Sequence, residues 1–377
     1  MTDIPARMQQ MISTVTDDGR LELALREVDV PTPKADEVLV KVGASPINPS
    51  DQGVMFTAAD VGQATPLEGA TGATMPIPEA LRRAVAPRVG RALPLGNEGA
   101  GTVVAAGDSA EAQALIGKVV AGAGGGYYAH YRIAKAADCL PLPDGITAEQ
   151  GASSFVNPLT ALGMIGTMRL DGYKGLVHTA AASNLGQMLV KLCRNEGVPL
   201  VNIVRSDEQV RILQELGAEH IVNTSDEDFH ARLVDAIAAT EAFLAFDAIG
   251  GGKLANQMLA AMEAAALRIG GPATGPYGSR QFKQVYIYGG LSTEPTVITR
   301  GVGMQWGVGG FLLTYFLERV GPDEARRLRE KVGAEITTTF ASAYTQRISL
   351  EEAVRPETIR AYQKKATGEK YLVTPNG

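Results

Sequence analysis

The stretch from Gly175 to Gly217 admits few folds. Leu176-Val177-His178-Thr179 is a short apolar run of the kind that forms a buried strand, and Ala180-Ala181-Ala182-Ser183-Asn184-Leu185-Gly186 follows, built mostly from small residues. Gln187-Met188-Leu189-Val190-Lys191-Leu192-Cys193 has apolar residues at helical spacing and runs to Gly197. Leu200-Val201-Asn202-Ile203-Val204 is a second apolar run, with Arg205 at its end. This is a strand–turn–helix–strand unit, and such units build parallel sheets.

The turn in that unit has a physical use. The first N–H groups of a helix lack intrahelical partners and point along a dipole that favours anions. A turn at Ala182, Ser183, Asn184, Leu185 and Gly186 lets a diphosphate reach them, the arrangement that holds a dinucleotide. The G-x-G-x-x-G fingerprint is degenerate here: Gly186 matches its last glycine, while Ala181 and Ser183 replace the first two. An Ala-rich strand–helix turn with no ligand is the plain alternative. At the end of the second strand an acid would bind a ribose 2′-hydroxyl and an arginine a 2′-phosphate. Arg205, followed by Ser206, favours NADP (NADPH) over NAD. A further run, Ala242-Phe243-Leu244-Ala245-Phe246-Asp247, ends in the loop Gly250-Gly251-Gly252. Ligands of such sheets sit beyond the carboxyl ends of the strands.

Composition bounds the remainder. A chain of 377 residues predicts two domains. A net charge of −6 argues against a nucleic-acid surface. No run of about eighteen apolar residues occurs, so no membrane span is expected. Met1-Thr2-Asp3-Ile4-Pro5 has no basic region or apolar core of a secretory signal, which predicts a cytoplasmic protein. Cys139 and Cys193 are the only cysteines and read as small buried hydrophobes. With no C-x-x-C pair and four histidines (130, 178, 220, 230) at no ligand spacing, no metal site is expected.

Taken in order, residues 11–45 read as strands and turns, including Glu37-Val38-Leu39-Val40-Lys41-Val42, and Pro46 to Asp51 breaks the sheet. Met55 to Arg91 is poorly periodic, with one helix over Pro78 to Ala86, and reads as a surface insertion or a lid. Strands resume at Gly99 to Gly107, Lys118 to Val120 and Tyr127 to Ile133. Thr147-Ala148-Glu149-Gln150 has capping-box spacing, and a helix over Pro158 to Met168 leads into the strand at Leu176. The shift from period two to helical spacing places a domain boundary near residue 155. Val285-Tyr286-Ile287-Tyr288-Gly289-Gly290-Leu291 reads as the last strand of the sheet, an edge. Leu372-Val373 reads as a strand returning to the N-terminal domain.

Asn48-Pro49-Ser50-Asp51, Gly96-Asn97-Glu98-Gly99-Ala100-Gly101-Thr102-Val103, Asn157-Pro158-Leu159-Thr160-Ala161, Leu216-Gly217-Ala218-Glu219-His220 and Ala366-Thr367-Gly368 together resemble the medium-chain dehydrogenase/reductase superfamily. Within it the chain is similar to the zinc-free quinone oxidoreductases and 2-enoyl thioester reductases. The resemblance implies an α/β protein: a GroES-like β-rich catalytic domain over 1–155 completed by 301–377, and a Rossmann domain, a doubly wound parallel sheet, over 156–300, with the active cleft between them. Zinc-dependent members carry a cysteine before the first motif and a histidine in G-H-E. The second position is Asn97 here, which cannot replace an imidazole ligand.

The resemblance sets Asn48 near a nicotinamide; an asparagine stabilising a turn is the alternative. Asp51 reads as a helix N-cap. Thr160 resembles the threonine that contacts the nicotinamide, and Asn157 is as well read as an N-cap. Tyr127 or Tyr128 is a candidate to face the substrate as a proton donor, against a core tyrosine. His178 reads as a core histidine. Gly250 is assigned to the ribose, and Tyr288, Gly289 and Gly290 to the nicotinamide, at strand ends. The expected activity is zinc-independent hydride transfer from NADPH to a quinone or an α,β-unsaturated carbonyl. One alternative is 2-enoyl thioester reduction, with Arg82, Arg83, Arg88 and Arg91 as the basic groove. The related reductases carry a catalytic tyrosine after N-P-x-D, and none lies between Asp51 and Arg91 here. The other alternative is a non-catalytic NADP(H)-binding sensor. The apolar edge strand predicts a homodimer acting on a small-molecule acceptor, without nucleic acid or membrane.

Overall fold

The computed structural model describes residues 4–270, 277–364 and 369–377, and the chain forms two compact units, 1–156 with 329–377 and 157–328. Ala366-Thr367-Gly368 lies outside the described residues.

The second unit is built on one parallel sheet. Its strands in chain order are Leu176–His178, Leu200–Val204, His220–Asn223, Leu244–Asp247, Lys283–Ile287 and Trp306–Gly310. Across the sheet they run 3-2-1-4-5-6, the doubly wound order whose switch point lies between strands 1 and 4. Register follows the apolar residues: Val177 pairs with Val201 on one side and Ala245 on the other, Ala245 with Val285, and Val285 with Val308. These strands are continuous apolar runs because helices cover the sheet. Leu233, Ile237, Met258, Leu259 and Met262, from the helices Phe229–Thr240 and Leu254–Gly270, are fully buried against it.

Two readings of this unit are corrected. Val285 to Tyr288 is not the sheet edge: Lys283–Ile287 pairs on both flanks, and Trp306–Gly310 is the outer strand. Three glycines in Trp306-Gly307-Val308-Gly309-Gly310 erased the strand signal there. The return to the first unit comes at Arg329 rather than near residue 301. The intervening chain belongs to the parallel sheet and its packing, since Phe316 fills the notch left by Gly163 and Gly166 of the helix Val156–Leu170.

The first unit holds two sheets. One orders Thr65–Pro66, Gly72–Pro76, Arg20–Asp29, Arg7–Val15 and Leu93–Pro94. The other centres on Glu37–Pro46, flanked by Glu98–Ala106 and by Tyr371–Val373, with Tyr131–Lys135 also paired to it. The returning strand sets Leu372 opposite Pro46 and Val373 opposite Ser45. The segment 55–91 is not merely a surface insertion. Gly72–Pro76 pairs antiparallel with Arg20–Asp29 and buries Ala73 and Met75 in the core with Met11, Leu21 and Leu23, while the helix there spans Glu79–Val85. Short elements broken by Pro and Gly hid this period-two pattern.

One ion pair in the second unit lies wholly inside the protein. Lys283, on a central strand, places Nζ 2.5 Å from Glu263 Oε2, and Ser279 donates to the same carboxylate through N (2.7 Å) and Oγ (2.6 Å). Burial alone would raise the Glu263 carboxyl, but donation from Lys283 and Ser279 holds it below its ordinary value. Removing one partner of such a pair strands the other charge. Lys283→Met should therefore cost about 3 kcal/mol in denaturant unfolding, and the double variant Lys283→Met, Glu263→Met should recover much of that loss. Equal losses in the two variants would count against the pairing.

Candidate active site

In the second unit the carboxyl ends of strands 1, 4 and 5 carry a connected polar network. The fold builds the turn after strand 1 by packing the helix Asn184–Glu196 directly onto it. A Cβ on Gly186 would lie 2.1 Å from the Ala181 carbonyl oxygen, so only glycine lets the helix start this close to the strand. Ser183 is the N-cap, its Oγ accepting from Gly186 N at 3.2 Å. Ala181 and Ala182 are buried, whereas Ser183 is exposed. Arg205 follows strand 2 with its side chain exposed; its backbone N–H donates to Gln209 Oε1 and its carbonyl accepts from Ser225 Oγ.

Strand 4 ends in Asp247, fully buried, whose Oδ1 accepts from Thr179 Oγ1 (2.8 Å) and Ile249 N (2.9 Å) and whose Oδ2 accepts from Gly250 N (3.2 Å). Thr179 Oγ1 in turn accepts from Ala248 N at 2.8 Å. These bonds lock the loop after strand 4 to the turn after strand 1. Gly250, at φ 77°, meets Gly289 so closely that a Cβ would lie 2.6 Å from the Gly289 carbonyl oxygen. The predicted set Gly250, Tyr288 and Gly289 is thus brought together, with Gly290 exposed beside it. His178 is not simply a packed core residue: its Nε2 lies 2.7 Å from Tyr288 Oη. Burial pushes the His178 imidazole down to about 3. Thr160 is buried in the helix Val156–Leu170.

The first unit holds a separate buried cluster. Asn48 is the N-cap of the helix Pro49–Phe56, and Asp51, at its third position, accepts from Asn48 N through Oδ2 (2.9 Å). Asp51 Oδ1 accepts from Asn97 N at 2.7 Å. Asp51 is thus the reciprocal arm of a capping box, not the N-cap itself. Asn48 Nδ2 donates to Glu98 Oε1 (2.8 Å), and Glu98 Oε2 accepts from Phe155 N and Val156 N (2.8 and 2.9 Å). Glu98 and Asp51 are both buried, with Lys370 as the cation acting on both; Lys370 Nζ donates to Ser153 Oγ at 2.8 Å. Desolvation raises Asp51 to about 7, opposed by its two backbone donors, and lowers Lys370 to about 8, opposed by Glu98 and Asp51.

Comparison with known proteins decides the family. Residues 34–144 match the alcohol dehydrogenase GroES-like domain, and residues 185–276 match the family described as zinc-binding dehydrogenase. The chain belongs to the medium-chain dehydrogenase/reductase superfamily. Among curated members, it is 30% identical over 207 residues to a mitochondrial enoyl-[acyl-carrier-protein] reductase of Caenorhabditis elegans, covering 53% of this chain and 52% of that one. It is 30% identical over 159 residues to a quinone oxidoreductase of Pseudomonas aeruginosa, covering 41% and 49%. The match thus takes in about half the length of these two relatives. Among solved members, a putative NADPH:quinone reductase of Mesorhizobium loti superposes over 100% of both chains at TM-score 0.72 and 28% identity. The Escherichia coli quinone oxidoreductase complexed with NADPH superposes at TM-score 0.70 over 98% of this chain and 100% of that one, at 18% identity, a likeness of fold.

The superfamily includes zinc enzymes, and the donor set here does not fit that metal. Position 97 is an amide whose Nδ2 donates to Ser50 Oγ, and each oxygen of Asp51 is held by a backbone N–H. Among the described residues no three His, Cys, Asp or Glu side chains converge.

Of the predicted catalytic residues, Tyr128 is overturned: it is fully buried and its hydroxyl donates to the Pro46 carbonyl at 2.9 Å, a core role, as is that of buried Tyr127. Asn48 is buried, with its amide donating to Glu98. Glu98 and Lys370 escaped the sequence reading as site residues. An acid opening the mostly small and apolar run Gly99 to Ala106 was the available signal for Glu98.

The Asp51 carboxyl has an ordinary value of 3.8 and titrates near 7 in the fold. Between those values the unfolded chain binds fewer protons than the folded one, so stability falls as pH rises. The contribution is fully present below about pH 4 and lost through about pH 7. The unfolding free energy of the wild type relative to Asp51→Asn should therefore decline across that window and level off above it, as measured by urea titrations. A flat difference would show that the carboxyl is not desolvated.

Proposed function

We propose that this chain is a zinc-independent, NADPH-dependent reductase that passes hydride to a quinone or an α,β-unsaturated carbonyl. The observation that carries this reading is the helix N-terminus at Ser183–Gly186, set against strand 1 at the switch point of the sheet, with the exposed Arg205 guanidinium at the end of strand 2. The residues present fit the cofactor. The Gly186 cradle admits a diphosphate to the opening turn, and Arg205 offers a planar fork to a 2′-phosphate. Gly250, Tyr288, Gly289 and Gly290 line the strand ends toward its other half. When bound, the nicotinamide supplies the hydride; the protein contributes orientation and hydrogen-bond donors for the charge that develops on the acceptor oxygen.

Two observations favour quinone or enone over the thioester reading, although several curated relatives are named enoyl-[acyl-carrier-protein] reductase. No tyrosine follows the Asn48–Asp51 motif before Arg91, and Tyr128 is sealed in the core. Of the four arginines offered as a basic groove, Arg88 donates to Val54 O and Ser13 Oγ, and Arg82 donates to Ile77 O. Oxidation of NADPH by 1,4-benzoquinone or an enone, with crotonyl-coenzyme A as the contrasting acceptor, tests the assignment. Tight NADPH binding without oxidation by any of them would leave the non-catalytic sensor.

The choice of cofactor rests on one side chain. A hydrogen bond to a charged group is worth about 1.5–3 kcal/mol, so Arg205→Ala should weaken NADPH binding tenfold or more in calorimetry and leave NADH binding nearly unchanged. Equal losses for both nucleotides would refute the phosphate contact.

We also propose that the chain forms a homodimer through the outer strand Trp306–Gly310 rather than through Val285 to Tyr288. Trp306 on that strand, and Met304, Leu312 and Tyr315 beside it, are exposed large apolar side chains, an edge that favours pairing. Trp306→Lys should yield monomers by light scattering, and a dimer that survives it would argue for another interface.

A further inference from the structure

The pair His178–Tyr288 holds an unspent proton. His178 is fully buried, and its Nδ1 has no hydrogen-bond partner among the described residues, while Nε2 lies 2.7 Å from Tyr288 Oη. The two ring planes are nearly parallel, 19° apart with centroids at 5.8 Å. The imidazole is neutral, so one nitrogen carries hydrogen and the other a lone pair. If Nδ1 carried the hydrogen, a buried N–H would be orphaned, the rarer and costlier defect; a buried bare acceptor is better tolerated. The favoured tautomer is therefore Nε2–H, donating to Tyr288 Oη.

That assignment leaves the Tyr288 O–H free to donate elsewhere. Tyr288 directly follows strand 5, half-buried, beside Gly289 and Gly290, on the side of the sheet where ligands of this fold bind. Burial, and next the Asp247 carboxylate, push its hydroxyl above the ordinary value, so it stays protonated through neutral pH.

We propose that the Tyr288 hydroxyl, fixed from behind by His178 Nε2–H, donates a hydrogen bond to a carbonyl oxygen of the bound ligand. That oxygen belongs either to the nicotinamide carboxamide or to the carbonyl of the electron acceptor. Tyr288 is then a ligand-binding residue and His178 a positioning residue. The proposal rests on the cofactor reading above but adds to it a direction for one proton.

Two measurements test it. In protein labelled with ¹⁵N-histidine, the His178 signal, identified by its loss in His178→Gln, should report hydrogen on Nε2 in the free protein; hydrogen on Nδ1 overturns the proposal without any ligand. Tyr288→Phe keeps the ring and removes only the hydroxyl. By calorimetry the variant should bind 2′,5′-ADP, which has no nicotinamide, as the wild type does. A rise of about fivefold in its Kd for NADPH would place the contact at the carboxamide. An unchanged Kd with a similar fall in kcat/KM for an enone would place it at the acceptor. No change in either overturns the proposal. A wild type that binds neither NADPH nor 2′,5′-ADP would instead bring down the cofactor reading, and the proposal with it.

Discussion

The helix Asn184–Glu196 starts where it does because Gly186 has no side chain. Its Cα rides over the Ala181 carbonyl at a distance no Cβ tolerates, so the helix axis begins at the end of strand 1 instead of a residue or two beyond it. The first turn of amides and the helix dipole are thereby placed at the switch point, where strands 1 and 4 part to opposite sides. Ser183 satisfies one of the opening donors from within the chain. Asp247 then fixes the facing loop by accepting from Thr179, Ile249 and Gly250, so the two sides of the crevice are bonded to one another before any ligand arrives.

The first unit solves a different problem, that of burying two carboxyl groups, Asp51 and Glu98. Glu98 is held by one side-chain amide and two backbone N–H groups, and Asp51 by two backbone N–H groups, so all four oxygens have donors. The donors come from Asn48, Asn97 and the stretch Phe155-Val156, segments distant in sequence. The two acids therefore stitch the loop after Glu37–Pro46, the strand Glu98–Ala106 and the end of the unit's first chain segment into one piece. Lys370 brings positive charge to the cluster from the returning C-terminal segment.

How much of this could be read from residue order depended on how local the signal was. The strand–turn–helix unit at 175–217 was legible because apolar runs, small residues and a helical stripe are contiguous. The motifs Asn48–Asp51 and Gly96–Glu98 were legible as a resemblance, but their roles were not. Asn48 bonds Glu98 and Asp51 bonds Asn97 across about fifty residues, pairings no local pattern carries. Tyr128 misled because a strand tyrosine looks the same whether its hydroxyl meets ligand or, as here, the Pro46 carbonyl. The outer strand at 306–310 was hidden by its glycines, and so the edge was assigned one strand too early. His178 and Tyr288 lie 110 residues apart, at the ends of strands 1 and 5, which strand 4 separates. Only the parallel register could bring them together.

The two units also differ in how they respond to protons. At the strand ends of the second unit, His178 is held neutral down to about 3 and Tyr288 is held protonated above its ordinary value. Neither changes charge in the range where proteins work, so the hydrogen-bond pattern offered to a ligand there is constant. In the first unit, burial displaces Asp51 to near 7 and Lys370 to near 8, each toward its uncharged form.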